Sequence, residues 1–430
     1  MILKPNSSRS ELVESYKEVR QKTEELCAPL QTEDYVIQSM EDVSPPKWHL
    51  GHTTWFFETF LLKNYSHGYQ PFHPLFGFIF NSYYETIGDR VARANRGLLS
   101  RPTVKDVYEF RARIDSRMGE LIESASERDW NEFYFLLDLG LNHEQQHQEL
   151  LITDIKNILA INPLKPVYKE AAPPQKPNPL SPARWIPFEG GVVEIGFDGA
   201  GFSFDNERPR HRVLLNDFQL QNRAVTNGEY LDFMNDNGYS DFRNWLSEGW
   251  TILSERNWKH PLYWELKEDG WYAMTLSGVR KLDLNEPVCH VSYFEADAYA
   301  RWAGKRLPTE EEWEHASGFA GTDLTKRNFM DSGRLHPAPY RFSNGDASSL
   351  HLFGDVWEWT SSAYLPYPGF SPEPGAVGEY NGKFMSNQMI LRGGSCATPL
   401  NHIRPTYRNF FQTDKRWQFT GFRLASDSGK

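Results

Sequence analysis

A proline-rich stretch, KPVYKEAAPPQKPNPLSPAR at residues 165–184, divides a chain of 430 residues into two textures. Proline fixes φ and has no N–H to donate, so such a run extends neither a helix nor a sheet and reads as a linker. Before it, apolar residues recur at three- and four-residue spacing in four segments: SRSELVESYKEVRQKTEELC, WHLGHTTWFFETFLL, RPTVKDVYEFRARIDSRMGELIES and DWNEFYFLLDLGLNHEQQHQELLITDIKNILA. That period marks amphipathic helices, and four of them make a bundle. A long connection rich in Gly, Tyr and Arg separates the second from the third, and connections of that length are more often functional than not. After the linker, short β-like runs (GGVVEIGF, RHRVLLNDFQLQ, MILRGGS) alternate with Gly, Asn and Pro turns and two short helices. The expected organisation is an α+β multidomain chain: a helical bundle over residues 1–164, a linker over 165–184 and an irregular, loop-rich α+β domain over 185–430.

The last bundle helix carries His143-Glu144-Gln145-Gln146-His147, which matches the H-E-x-x-H pattern of zinc proteases. On a helix His143 and His147 lie about 40° apart, a chelating pair, with Gln146 beside them and Glu144 about 100° from His143. The protease reading needs a third His or Glu at a suitable distance downstream. The next histidine, His211, lies beyond the linker, and the upstream segment is helical instead of an edge strand. The second bundle helix offers a better partner, WHLGH, with His49 and His52 three residues apart. Either one completes a three-imidazole set that leaves positions open on an octahedral iron. The plainer reading is that these are packed core or capping histidines. Two pairs at helical spacing on two bundle helices weigh against it.

Composition narrows the remaining classes. A net charge of −11 without a Lys/Arg run argues against a nucleic-acid surface. Three distant cysteines, Cys27, Cys289 and Cys396, provide neither a disulfide framework nor a Cys-type zinc site. The N-terminus lacks a charged-then-apolar signal pattern, and no apolar run approaches the ~18 residues that span a bilayer. A soluble cytoplasmic protein is the expectation.

WHLGHTTWFFE, NSYYETIGDRVARANRGLLSRPT and LNHEQQHQELLITDIKN, followed by RHRVLLNDFQLQNRAVTNGEYLDFM, PVCHVSYFEADAYARWAGKRLPTEEEWEHAS, GDVWEWTSSAY, LRGGSCATP and GFRLA, together resemble the ergothioneine sulfoxide synthases. The resemblance implies an N-terminal DinB-like four-helix bundle. It also implies a C-terminal domain with the C-type-lectin-like fold of the formylglycine-generating enzyme. It further implies Fe(II) held by His52, His143 and His147, with His49 a neighbour. The implied reaction joins the sulfur of a cysteine-type thiol to the imidazole C2 of hercynine (Nα-trimethylhistidine), with O2 as oxidant and a sulfoxide as product. Formylglycine-generating enzymes use a cysteine pair near the C-terminus. Here that region reads IRPTYRNFF, so that activity is not expected despite the shared fold.

The resemblance also assigns substrate roles. Gln146 and Asn409 are implied in holding hercynine, and Phe410 offers a ring face to its trimethylammonium group. Phe410 and Phe411 are otherwise ordinary core residues. Arg90, Arg93, Arg96 and Arg101 crowd the loop after NSYYE, and guanidinium groups suit a carboxylate. Arg93 and Arg96 are the chosen clamp. A tyrosine with pKa near ~10 can give a proton close to iron while staying neutral. Tyr83 and Tyr84 are favoured over Tyr364 and Tyr367. Members using γ-glutamylcysteine carry an Asp where this chain has Phe411, and a phenyl ring cannot pair with an ammonium. Free cysteine is therefore the expected thiol. The competing readings are γ-glutamylcysteine as donor, selenium transfer to hercynine, a relative acting on histidine itself, and a metal-dependent lectin-like binding module without turnover.

Overall fold

The computed structural model describes residues 7–170, 182–199, 201–321, 323–340 and 350–427; residues 171–181 of the proline-rich stretch lie outside the described residues. Two compact units are present. The first runs to Tyr168 and also takes in Glu373–Tyr380, and the second begins at Lys169. The helical unit thus reaches beyond residue 164 and recruits a segment from the far half of the chain.

In the first unit α1 (Arg9–Cys27), α2 (Pro46–Phe57), α5 (Val104–Ser124) and α6 (Trp130–Ile161) form the bundle, with α1 and α2 each packed against α5 and α6. Local chemistry starts these helices. Ser8 with Glu11 and Thr103 with Asp106 form capping boxes at α1 and α5, and Pro46 occupies the first turn of α2, where its missing N–H costs nothing. The apolar-aromatic second helix does not stay α-helical throughout. It widens into a π-helical turn at Glu58–Leu62 before a last turn, α3 (Lys63–Tyr65). Within that turn the buried Glu58 accepts hydrogen bonds from Tyr69 Oη (2.8 Å) and the Phe72 amide (2.7 Å), which pins the start of the long connection. The connection then forms α4 (Phe76–Phe80) and two 3₁₀ turns, Glu85–Ile87 and Arg93–Leu98. The Asn81 amide donates to the carbonyls of Tyr84 (3.1 Å) and Gly88 (2.8 Å), so this loop has a defined path.

Two glycines set how closely the elements approach. A Cβ on Gly140 of α6 would lie 2.6 Å from the Phe57 ring and 2.9 Å from Phe56 on α2. A Cβ on Gly51 of α2 would lie 2.1 Å from the ring of Phe80. Both close approaches bring backbone against aromatic rings in a core that also holds Phe110, Ile114, Leu137 and Ile152.

The second unit is α+β. Its strands are β1 (Trp185–Phe188), β2 (Gly191–Ile195), β3 (His211–Leu215), β4 (Phe218–Gln221), β5 (Trp264–Lys267), β6 (Gly270–Thr275), β7 (Gly278–Lys281), β8 (Trp357–Ala363), β9 (Met389–Arg392), β10 (Asn409–Phe411), β11 (Thr420–Gly421) and β12 (Ala425–Asp427). They form small sheets ordered β1-β4-β12, β10-β9-β8-β11, β2-β3 and β5-β6-β7. β12 pairs antiparallel with β4, so the two ends of the unit close on each other. Among the described residues there are four short α-helices, not two: α7 (Asn227–Asn235), α8 (Ser247–Glu255), α9 (Tyr293–Trp302) and α10 (Glu310–Ser317). Helices of two to three turns carry too few periods to stand out in a turn-rich sequence. Capping boxes at Thr226, Ser292 and Thr309 start three of them. Buried ion pairs tie α10 to β9 and to the start of β10: Arg392 lies between Glu310 (2.8 Å) and Glu314 (2.9 Å), and Arg408 donates twice to Glu310.

Gly140→Ala tests the close α2–α6 approach. The added methyl has no room, and overpacking of this kind costs about 1–3 kcal/mol. Calorimetry should show a lower melting temperature for the variant.

Candidate metal centre

α2 and α6 face each other with two histidines apiece. The ligand nitrogens of His52, His143 and His147 lie within 4.8 Å of one another. His52 is flanked by Trp48 (4.5 Å between centroids, 12° between planes) and Trp55 (5.5 Å, 17°). Its Nδ1 lies 2.6 Å from the Phe80 carbonyl oxygen. A carbonyl only accepts, so Nδ1 carries the proton and Nε2 is a bare lone pair. That Nε2 lies 3.2 Å from Nε2 of His143.

His147 is oriented from the other side. Its Nδ1 is 2.9 Å from Nδ1 of His49, whose Nε2 is 3.0 Å from Oδ2 of Asp154. The same Asp154 oxygen accepts from the Ser44 amide at 2.8 Å. Burial holds His49 below its ordinary value, although Asp154 pulls the other way. The ring is therefore neutral near pH 7.

Burial and neighbouring imidazoles act on the set itself. Burial, then His143, holds His52 well below the ordinary histidine value. Burial holds His143 down to about 4. His147 retains some exposure as a residue, but its ring end is enclosed, and burial followed by His143, His52 and His49 lowers it strongly. Three neutral imidazoles are the protonation state a metal requires. The Nδ1 of His143 is buried without a hydrogen-bond partner. Whichever nitrogen of His143 holds the proton, the apposed rings leave a polar atom unsatisfied, and a cation shared by the three nitrogens relieves that cost. The donor set therefore fits a divalent transition metal.

Glu144 does not belong to this group. It points about a quarter turn round α6 from the histidine pair, accepting from Arg20 (2.8 Å), Arg111 (2.6 Å) and Thr23 (2.7 Å). Burial alone would raise its carboxyl, but Arg111 and Arg20 outweigh that and hold it at about 2. A carboxylate so committed is no general base, which removes the zinc-protease reading of H-E-x-x-H.

The loop residues gather in the same unit. Arg96 is buried, with its guanidinium 3.4 Å from the Trp48 ring centroid, and donates to Ser44 Oγ (2.9 Å) and Ser82 Oγ (3.0 Å). Among the described residues no carboxylate hydrogen-bonds it, and burial pulls its pKa down to about 9. Arg93 donates to the Asp42 carbonyl and, at 3.4 Å, to Tyr83 Oη. Tyr84 is buried against Trp55 and Phe60, and burial pushes its phenol well above the ordinary value. Gln146 sits half-buried on α6.

Tyr380 was not singled out by sequence reasoning. It comes from the Glu373–Tyr380 segment of the first unit, is half-buried, and has its ring centroid 6.3 Å from that of Tyr83. The neighbouring Glu379 accepts from the amides of Glu85 (2.8 Å) and Thr86 (3.1 Å). No periodicity in EYNGKF signals this. Asp154 was missed as well, although it lies two helical turns beyond His147 on the same face, a readable signal.

Asn409, Phe410 and Phe411 are half-buried on β10 of the second unit. Asn409 Oδ1 accepts from the Phe410 amide (2.9 Å). The Phe410 ring stacks on Tyr364 at 4.0 Å, and Phe411 meets Trp417 edge-on. Tyr364 accepts from the Asn206 amide at 3.0 Å. Tyr367 is bound into the Arg392–Glu310 cluster, a structural position.

A DinB superfamily model matches residues 15–151, and a sulfatase-modifying factor enzyme 1-like domain matches residues 169–348 and 342–428. The chain is 32% identical over 360 residues to a hercynine oxygenase of Mycolicibacterium smegmatis, covering 79% of this chain and 81% of the relative. It is 32% identical over 407 residues to a hercynine oxygenase of Mycolicibacterium thermoresistibile, covering 90% and 88%. A formylglycine-generating enzyme of Mus musculus is 27% identical over 305 residues, covering 58% of this chain and 77% of that protein. Fold and site define a two-domain protein with a DinB-like helical bundle carrying a three-histidine group and a C-type-lectin-like domain of the sulfatase-modifying-factor type. The chain belongs to the hercynine oxygenase family. No helix among the described residues is long and apolar enough to cross a membrane.

Two measurements check this account. Glu144→Gln should lower stability by about 3 kcal/mol in chemical denaturation, because it leaves buried guanidinium charge, while Asp115 and Glu24 still hold Arg20 and Arg111. Its metal affinity should be unchanged. The second is a pH series on metal-free protein. The unfolded chain takes up a proton at His143 near pH 6.5 that the folded chain refuses until about 4, so stability falls as pH drops through that window. Asp355, raised by burial to about 6, works in the opposite sense. The shallower slope expected for H143Q isolates the histidine.

Proposed function

We propose that this chain is an Fe(II)- and O2-dependent sulfoxide synthase that joins the sulfur of cysteine to the imidazole C2 of hercynine, giving hercynylcysteine sulfoxide. The carrying observation is the cluster of three buried neutral imidazoles with ligand nitrogens within 4.8 Å. The relatives' name, hercynine oxygenase, supports the substrate. In the balanced reaction the imidazole C2–H and thiol S–H bonds are lost, one oxygen atom joins sulfur and the other leaves as water.

His52, His143 and His147 would hold the iron, which when bound supplies the redox chemistry with O2 and lowers the thiol pKa. The chain's other residues bind and move protons. Arg96, buried beside neutral partners, is poised for the carboxylate of the thiol substrate, with Arg93 next to it. Tyr84, whose phenol burial keeps protonated, and Tyr83, in reach of Arg93, are the proton donors. Gln146 orients hercynine from α6. The roles implied for Asn409, Phe410 and Phe411 belong to the same proposal. An aromatic side chain at 411 supports cysteine over a donor carrying an extra ammonium. Trp48, Trp55 and Phe56 line the histidines with apolar surface and limit water.

The test is oxygen uptake by Fe(II)-loaded protein with hercynine and either cysteine or γ-glutamylcysteine, with products read by mass spectrometry. Uptake with hercynylcysteine sulfoxide is expected. Product with γ-glutamylcysteine alone keeps the reaction class and overturns the argument from Phe411. No uptake with either overturns the synthase and leaves a selenium donor or a binding module. Arg96→Leu should lower kcat/KM for the thiol about 10- to 100-fold, the worth of a hydrogen bond to a charged group, and leave KM for hercynine nearly unchanged.

A further inference from the structure

His49 and Asp154 lie outside the three-histidine group but join it through a chain of contacts, Asp154 to His49 and His49 to His147. His49 is one turn before His52 on α2, and Asp154 is two turns after His147 on α6, so the pair bridges the two helices that carry the site. Both side chains are only 3% exposed. We propose that Asp154 and His49 form a positioning relay that fixes the tautomer of His147, keeping its proton on Nδ1 and its Nε2 free for the metal. The inference rests on the metal-binding reading above and adds two residues to it.

The argument is one of donors and acceptors. The Asp154 carboxylate accepts only, so the His49 nitrogen 3.0 Å away is the N–H. His147 turns its Nδ1 to His49 and so has Nε2 left for the metal; a neutral ring bound through Nε2 keeps its proton on Nδ1, and His49 Nδ1 is then the acceptor. His147 Nδ1, at 2.9 Å, must supply the proton between them. The alternative places two lone pairs face to face at that distance and puts a proton on the His147 nitrogen needed by the metal. The Ser44 amide, at 2.8 Å, fixes the carboxylate itself. His52 reaches the same tautomer through the Phe80 carbonyl. The carboxylate-backed contact does more than a carbonyl, since it also makes the ligand ring a stronger base. Both act through His147, so both are positioning residues.

The test is Co(II) titration of metal-free wild type, H49F and H49Q at one pH, read by the visible d–d band and by competition with a chelator. H49F should bind about 10- to 100-fold more weakly, the usual cost of losing such an outer contact, with an altered band. Its metal-free melting temperature should stay within a few degrees of wild type. H49Q should recover most of the affinity, because the amide oxygen accepts from His147 while the amide NH2 donates to Asp154. A purely structural role would not be rescued in the spectrum. Selective ¹⁵N-histidine NMR of the wild type needs no variant, and should show His147 protonated at Nδ1 and His49 at Nε2. H49F matching wild type in affinity and band, or His147 protonated at Nε2, overturns the relay alone. A wild type that binds no Co(II) overturns the metal site and the relay with it. If H49F does not fold, the NMR tautomer decides.

Discussion

The close crossing of α2 and α6 is the constraint on which the first unit depends. Gly140 lets the rings of Phe56 and Phe57 lie against the α6 backbone, and Gly51 does the same for Phe80 against α2. Apolar burial at this crossing holds two helices, each bearing a histidine pair, at a separation where imidazoles from both meet. The three-histidine group thus sits where aromatic packing brings the two helices together. Phe80 serves twice, since its ring packs on Gly51 while its carbonyl sets the tautomer of His52.

Charge in this unit is divided between two treatments. Glu144, Arg20 and Arg111 are fully buried and fully paired, which makes them costly to disrupt and chemically inert. Arg96 is also buried but, among the described residues, hydrogen-bonds hydroxyls and lies on an indole face, with no carboxylate bonded to it. A paired cluster braces the bundle. An unpaired guanidinium stores a desolvation cost that an incoming carboxylate relieves, and this contrast separates scaffold from candidate binding residue more sharply than burial alone. The second unit follows the first pattern: Arg392 and Arg408 tie β9 and the start of β10 to Glu310 of α10, and they capture Tyr367 in doing so.

The four bundle helices, the change of texture after the prolines and the two histidine pairs were legible in the sequence, because helical period and i, i+3 or i, i+4 spacing are local properties. The motif order also carried the family. Less was legible in the second half, where α7–α10 are too short to show a period. Other features depend on which helix meets which. They are the tautomer of His52, the commitment of Glu144 to two arginines, the burial of Arg96 against Trp48, and the arrival of Tyr380 in the first unit from the far half of the chain. A one-dimensional pattern records which face a residue occupies and is silent on what lies opposite. The sequence by itself therefore determined the elements and the residue types available for chemistry. Only the tertiary structure decided their partners, since hydrogen bonds and burial between residues a hundred positions apart are set by packing.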